Sequence, residues 1–349
     1  MIDSVPFGAD QHGSRVRLWR LRNASGAMAC VSELGAALVR LDAPDRYGQL
    51  ANVTLGLGSA EAYLADRNYL GSIVGRYAGR IAAGRFVIDG RPYQAPCNEG
   101  GNLLHGGAQG FHQRLWRASI DGSTLRLDLI SPDGEGGFPG EVRVTARYAF
   151  SDNFALRLDL AAQTSAPTPF NLTHHGYWNL AGAGALSVLD HELSIAAALY
   201  QPVGPGMIPA GATEPVAGTP FDFRSPKQIG RDLEAAHPQL ASAGGFDHSF
   251  VTEGAGLRRA ATLEHQASGR SMTIDTDVSR LHLYTFNAPQ TQISGRDAAF
   301  CRAHSAVALE PQGLSSKHTP TGFPLTVLRP DEAFQARVVY KFKDASTQP

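Results

Sequence analysis

Alternation of apolar and polar residues with a period of two is the feature that most narrows the fold of this chain. It runs through Thr124–Ile130 (TLRLDLI), Val142–Phe150 (VRVTARYAF), Phe154–Ala162 (FALRLDLAA), Ser271–Asp277 (SMTIDTD), Arg280–Phe286 (RLHLYTF) and Phe334–Phe342 (FQARVVYKF). Successive side chains of an extended backbone point to opposite faces, so such runs bury one face and solvate the other, as antiparallel strands do. Asp89-Gly90, Asp121-Gly122 and the Pro/Gly-dense Pro132–Gly140 supply turns between runs. Helical signals are short: Ser59–Asp66, whose serine suits an N-cap, and Arg231–His237. Without strand–helix alternation or a glycine-rich phosphate loop after a strand, a doubly wound nucleotide-binding fold has no support. The expectation is an all-β chain.

Hydrophobic residues at 43% against 18% charged provide a globular core and exclude a disordered chain of 349 residues. With 31 basic and 32 acidic residues there is no global field to attract nucleic acid or an anionic membrane, so the expected partner is a small molecule. Cys30, Cys97 and Cys301 are odd in number and widely spaced, which fits a reducing compartment. The start MIDSVPFGADQHGS lacks the basic and apolar regions of a signal peptide, and no stretch of about 18 apolar residues occurs. A cytoplasmic location is expected. No composition break divides the chain, and Gly204–Gly218 reads as a surface loop anchored by Met207-Ile208-Pro209, so residues 1–349 are expected to form one domain.

Chemically capable side chains gather in a few segments. Gly75–Phe86 (GRYAGRIAAGRF) carries Arg80, and Asn98–Gly107 (NEGGNLLHGG) sets His105 among glycines that let backbone approach a ligand. Taken alone, His105 reads equally as a turn or core histidine, and Arg80 as a surface arginine. In Asn171–Leu180 (NLTHHGYWNL) an extended backbone sends His174 and His175 to opposite sides, so only one can face a given pocket. Adjacent histidines without a nearby Cys, Asp or Glu cluster do not make a metal set, and no catalytic metal is expected. Ala306–Gln312 (AVALEPQ) runs an apolar strand into Glu310 and Gln312; a carboxylate there loses hydration and becomes a competent base near neutral pH, unless an arginine merely pairs with it. In Gly244–Phe250 (GGFDHSF), Asp247 suits sugar hydroxyls but also an ordinary turn.

Five of these segments, in this order, resemble the aldose 1-epimerase (galactose mutarotase) family, whose patterns read close to GRYANRIxxGxF, NxGxNxLHGG, NLTNHSYFNL, GYDHxFV and LETQ. Tyr200–Ile208 (YQPVGPGMI) and Thr219–Arg224 (TPFDFR) add to a likeness that spans nearly the whole chain. The resemblance implies a large twisted antiparallel β-sandwich with few short helices, a monosaccharide as partner and no metal or organic cofactor. It implies Glu310 as catalytic base and His175 as catalytic acid, with Arg80, His105 and Asp247 as further site residues and His105 the alternative proton donor; His282, Tyr177 and Gln312 are added as substrate-binding candidates, and residue type makes Tyr177 or Trp178 a candidate stacking face. A monomer or weak homodimer is expected.

Several positions depart from the pattern. Gly79 stands where the family has asparagine, His174 replaces an asparagine, Gly176 a serine and Trp178 a phenylalanine. His282 occupies a place where many members have glutamine, and GLSSKHT follows Gln312 in place of an aromatic-Pro-Asp segment. The catalytic pair is kept while its surroundings change, leaving galactose, glucose, xylose and arabinose as candidate substrates. Two other readings share these residues: a glycoside hydrolase with Asp247 and Glu310 as paired carboxylates, and a sugar-binding module without catalysis. A sugar-phosphate site would need Arg76, Arg80, Arg85 and Arg91 to converge, which strand alternation opposes.

Overall fold

Antiparallel pairing organises the computed structural model, which describes residues 1–289, 302–313 and 325–343. The broadest sheet has nine strands in the order Arg117–Asp121, Thr124–Ser131, Val142–Phe150, Ala155–Thr164, Phe334–Phe342, Arg270–Thr276, Arg258–His265, Glu192–Ile195 and Lys227–Gln228. A six-stranded sheet follows the order Tyr177–Trp178, Val307–Gln312, Arg280–Tyr284, Asp247–Thr252, Ala197–Gln201 and Glu214–Pro215. Five strands between Ile2 and Asn52 form a third sheet in chain order. The fold is a large twisted antiparallel β-sandwich, and only two short helices occur among the described residues.

One core joins the sheets. Leu127 and Leu158 from the nine-stranded sheet share it with Leu281, Leu283, Val307 and Leu309 from the six-stranded sheet and Val31 and Leu38 from the third. Each such leucine, wholly removed from water, contributes about 1.5–3 kcal/mol. The outer face of the nine-stranded sheet carries ion pairs such as Arg126–Asp128, Arg337–Asp159 and Lys341–Asp275; pairs this exposed add little stability.

Most predicted strands appear within a residue or two of their expected ends. Phe154 and Phe286 fall outside theirs, because both adopt positive φ, at 55° and 50°, where an extended strand cannot continue. Asp89 and Gly90, at φ 50° and 80°, close the hairpin between Arg85–Ile88 and Arg91–Gln94 as a two-residue turn. The helix expected over Ser59–Asp66 forms as Ala60–Ala65, with the Ser59 hydroxyl accepting the Ala62 N–H at 3.3 Å. The helix expected over Arg231–His237 is displaced to Pro238–Ala243. Proline disfavours the helical conformation in the residue before it, so His237 becomes the cap and Pro238 the first helical residue. A short 3₁₀ turn, Ile229–Asp232, precedes it.

Cys30 and Cys97 are free thiols; Cys301 and residues 314–319 of the altered rim lie outside the described residues. No helix among the described residues is long and apolar enough to cross a membrane.

Candidate active site

Period-two alternation on the six-stranded sheet sorts core from chemistry. Leu281, Leu283, Val307 and Leu309 face the core, so their neighbours His282, Tyr284, Ala308, Glu310 and Gln312 face the other way. Strand register pairs His282 with Ser249 on one side and Glu310 on the other, making a row of three polar side chains across three strands. Asp247 and Tyr284 form the next pair. Above this floor lies a cavity of about 960 Å³ including its open mouth, lined also by Tyr69, Arg80, His105, His175, Gln201 and Met207.

Glu310 is 1% exposed. Burial pushes its carboxyl up to about 7, against the opposing charge of His282 and with Asp247 adding to the rise. The Gln312 amide donates to its Oε2 at 3.3 Å. Facing it, Nε2 of His175 stands 3.4 Å from Oε1. The His175 backbone is fixed by reciprocal loop bonds, its N–H to Ser72 and its carbonyl receiving Gly71, and its ring stacks on Tyr177 at 4.9 Å. Burial, then the His282 charge, pushes the His175 imidazole down to about 3.

His105 is held at φ 51° in the glycine-rich loop. The N–H of Gly79 donates to its Nδ1 at 3.2 Å, so Nε2 carries the proton of the neutral ring. The loop depends on Gly106, where a Cβ would lie 1.9 Å from the Gly75 carbonyl oxygen. Arg80 makes a two-pronged pair with Glu99, at 2.8 and 2.7 Å, and places Nη1 3.7 Å from Asp247. Burial opposes the charge on Asp247, but a 2.7 Å bond to His282 Nε2 together with Arg80 holds its carboxyl below the usual range. On the other side of the ring, His282 Nδ1 lies 2.9 Å from the Ser249 hydroxyl.

The eight expected site residues all line this one cavity. Tyr177 takes a supporting place: its hydroxyl donates to the Asn68 carbonyl at 2.9 Å and its ring backs His175. Trp178 is not a stacking face. Alternation turns it into the main core against Tyr340 at 4.7 Å. His174 turns the same way and meets the Tyr340 hydroxyl at 3.0 Å, so the two adjacent histidines do face opposite sides. The four clustered arginines diverge: Arg76 is buried and donates to the carbonyls of Ser131, Pro132, Pro139 and Gly140, while Arg85 reaches Gln94 and Arg91 covers Tyr93.

Sequence reasoning missed Tyr69, Asn68, Ser249 and Gln201. Ser249 was recoverable, since it stands two residues after Asp247 on the same strand face. Tyr69 was not: it lies in an unpatterned loop at φ 60°, its ring 4.7 Å from His105 and 4.6 Å from His112.

Outside the cavity, Asp190, His191 and His265 bring ligand atoms within 4.8 Å of one another. The Leu180 N–H donates to Nε2 of His191, which forces the ring proton onto Nδ1, where it is donated to Asp190 at 2.9 Å. Neither nitrogen of His191 keeps a lone pair for a metal ion.

The profile of the family described as Aldose 1-epimerase matches residues 17–341. The chain belongs to the aldose 1-epimerase family. It is 37% identical to a galactose mutarotase of Rattus norvegicus, over 95% of this chain and 96% of that one. It is 32% identical to an aldose 1-epimerase of Escherichia coli strain K12, over 98% and 99%. A galactose 1-epimerase structure from Lactobacillus acidophilus NCFM superposes with a TM-score of 0.84 at 30% identity, covering 98% of each chain. A GalM/aldose epimerase homologue from C. elegans gives 0.84 at 27% identity, covering 98% and 99%. The family's activity is mutarotation, the interconversion of the α and β anomers of a free aldose, and membership makes this chain an isomerase rather than a hydrolase or a passive sugar binder.

Proposed function

We propose that Glu310 and His175 carry out mutarotation as a base–acid pair on a free monosaccharide. Glu310 takes the proton of the anomeric hydroxyl while His175 gives one to the ring oxygen. The C1–O5 bond breaks, C1 becomes an aldehyde carbon, and rotation about C1–C2 presents its other face. Closure then runs the same transfers backwards, with the roles of the two groups exchanged, and no covalent intermediate is needed. Arg80, His105, Asp247 and Gln312 hold ring hydroxyls, while His282, both of whose ring nitrogens are engaged by Asp247 and Ser249, keeps Asp247 in position and Tyr177 keeps His175 in position.

The observation that carries this reading is the 3.4 Å approach of His175 Nε2 to Glu310 Oε1 in one buried pocket. Two groups this close titrate as a unit. The pair holds two protons below about pH 3, one between about 3 and about 7, which is the working state, and none above. At rest burial puts that one proton on Glu310 and leaves His175 neutral; its transfer across the 3.4 Å gap gives the reactive carboxylate–imidazolium pair, and ring opening returns both groups to neutral, a change that their dry surroundings favour. Each proton transfer contributes about 10²–10⁴-fold. His105, whose Nδ1 is tied to Gly79, is a hydrogen-bond donor in this scheme rather than the acid.

Asp247 supports the isomerase reading over paired-carboxylate chemistry, since its oxygens are engaged by His282 and Arg80. Every group invoked belongs to one chain, which suits action as a monomer or weak homodimer. The net charge of −1 gives no reason for a nucleic-acid partner, and the odd cysteine set, with Cys97 an exposed free thiol, supports a cytoplasmic setting.

Polarimetry, or proton NMR of the anomeric signals, on freshly dissolved α-D-galactose, α-D-glucose, α-D-xylose and α-L-arabinose tests the proposal. Equilibration faster than buffer, lost in Glu310→Gln, is the expected result. A Glu310→Gln protein that keeps its rate would overturn the assignment of the base.

A further inference from the structure

We infer that His282 is a positioning residue that works as a fixed imidazolium, setting the proton affinity of Glu310 and His175 together while aiming Asp247 at the substrate. The inference rests on the Glu310–His175 reading above and deepens it. Its basis is placement. His282 sits in the centre of the floor, directly paired with Ser249 and Glu310 in the strand register, and directly paired side chains in antiparallel sheets have their Cβ atoms about 5 Å apart. Its two ring nitrogens are both engaged, Nε2 by Asp247 at 2.7 Å and Nδ1 by the Ser249 hydroxyl at 2.9 Å. Both partners can accept, so both can serve a doubly protonated ring.

The charged groups around His282 decide its state. Asp247 on one neighbouring strand and Glu310 on the other favour the cation, whereas Arg80, reaching in from Arg80–Ile81, opposes it. Glu99 offsets Arg80 through its two-pronged pair. His175 and His105 are held neutral by burial, and Tyr284 on the same strand stays protonated, its phenol pushed up to about 12. Burial disfavours the His282 cation, but the Asp247 bond outweighs it and the net direction is up from the ordinary value.

A cation in this place lowers the proton affinity of both members of the reacting pair, and it is the leading influence that opposes burial at Glu310. Glu310 is thereby kept ionisable near neutral pH although it is buried in the sheet. Remove the charge and the one-proton window of the pair moves to higher pH.

His282→Gln removes the charge while keeping an amide able to donate to Asp247 and accept from Ser249. The expected result is that the alkaline limb of the pH profile of kcat/KM moves up by about one unit, a change that loss of a merely structural contact does not produce. An alkaline limb that stays in place overturns the role. Two readouts need no turnover, and the first needs no variant. In the free wild-type protein, ¹⁵N NMR of the imidazole ring is expected to show both His282 nitrogens protonated at pH 7, and a neutral ring there overturns the inference. Carbon-13 titration of the Glu310 carboxyl, assigned with Glu310→Gln, is expected to move up in His282→Gln. If no sugar is equilibrated by wild type, the base–acid reading fails by itself, while these two titrations still decide for or against His282.

Discussion

The floor and the cover of the pocket are built by different means. The floor residues Asp247, Ser249, His282, Glu310 and Gln312 stand on adjacent strands whose opposite faces are packed core, so their positions follow from pleat and register. The cover residues Tyr69, Arg80, His105 and Met207 come from loops or very short elements, and individual contacts join them: Gly79 N–H to His105, Glu99 to Arg80, the Tyr69 ring to His105. The proposed base Glu310 belongs to the rigid part, its partner His175 is held by loop bonds between two short strands, and substrate fit falls to the adjustable part. The chain departs from its family in both parts: Gly79 belongs to the cover, where its missing side chain leaves open space, and His282 to the floor.

The largest effect expected from this division is at the floor. Glu310→Gln should lower kcat by roughly 10²–10⁴-fold with little change in folding, measured by anomeric NMR beside a urea titration. On the core face of the same strand, Leu309→Ala should do the reverse, costing about 2–5 kcal/mol of stability by urea unfolding while the folded fraction keeps its kcat within a few-fold. If Leu309→Ala instead abolished kcat in folded protein, floor and core would not be separable. The wild-type pH profile comes next. Because Glu310 is pushed up to about 7, the one-proton pair is depleted above that pH, and kcat/KM should fall about tenfold per unit on the alkaline side. A rising alkaline limb would show that the fully deprotonated pair is the active one. In the cover, His105→Asn should raise KM about tenfold with a smaller loss in kcat, since a neutral donor has been replaced by another. The smallest change expected is for Gly79→Asn, which should alter the ranking of galactose, glucose, xylose and arabinose by a few-fold without moving the alkaline limb. A shifted limb in that variant would mean that cover and floor share the proton chemistry.

The floor was also the more legible part in the sequence. Alternation through RLHLYTF and AVALEPQ fixes which residues share a face, and the same rule sends His174 away from His175. Applied to Trp178, four residues after His174 and on the same side, it also sends that ring into the core. The helix lies at Pro238–Ala243 and not over Arg231–His237 because proline suits the first helical position and turns the residue before it out of the helix. In the cover, His105 and Arg80 were found through motif and glycine spacing. Tyr69 had no pattern to reveal it, since its place depends on contacts with His105 and His112, residues distant in sequence. Periodicity reports neighbours across a strand pair; it carries no information on which loop folds over which strand.

Glu310 shares its peptide units with Leu309 and Pro311, whose side of the strand is immobilised in the interior. The reacting carboxylate consequently has almost no travel, and neither hinge nor lid is required to bring it to the sugar. In the proposed mechanism what moves is the substrate, an opened aldehyde swivelling about a single carbon–carbon bond in front of stationary donors and acceptors. An enzyme of that kind behaves less like a machine with a stroke than like a shaped solvent, into which a sugar dissolves, loses its memory of configuration and leaves.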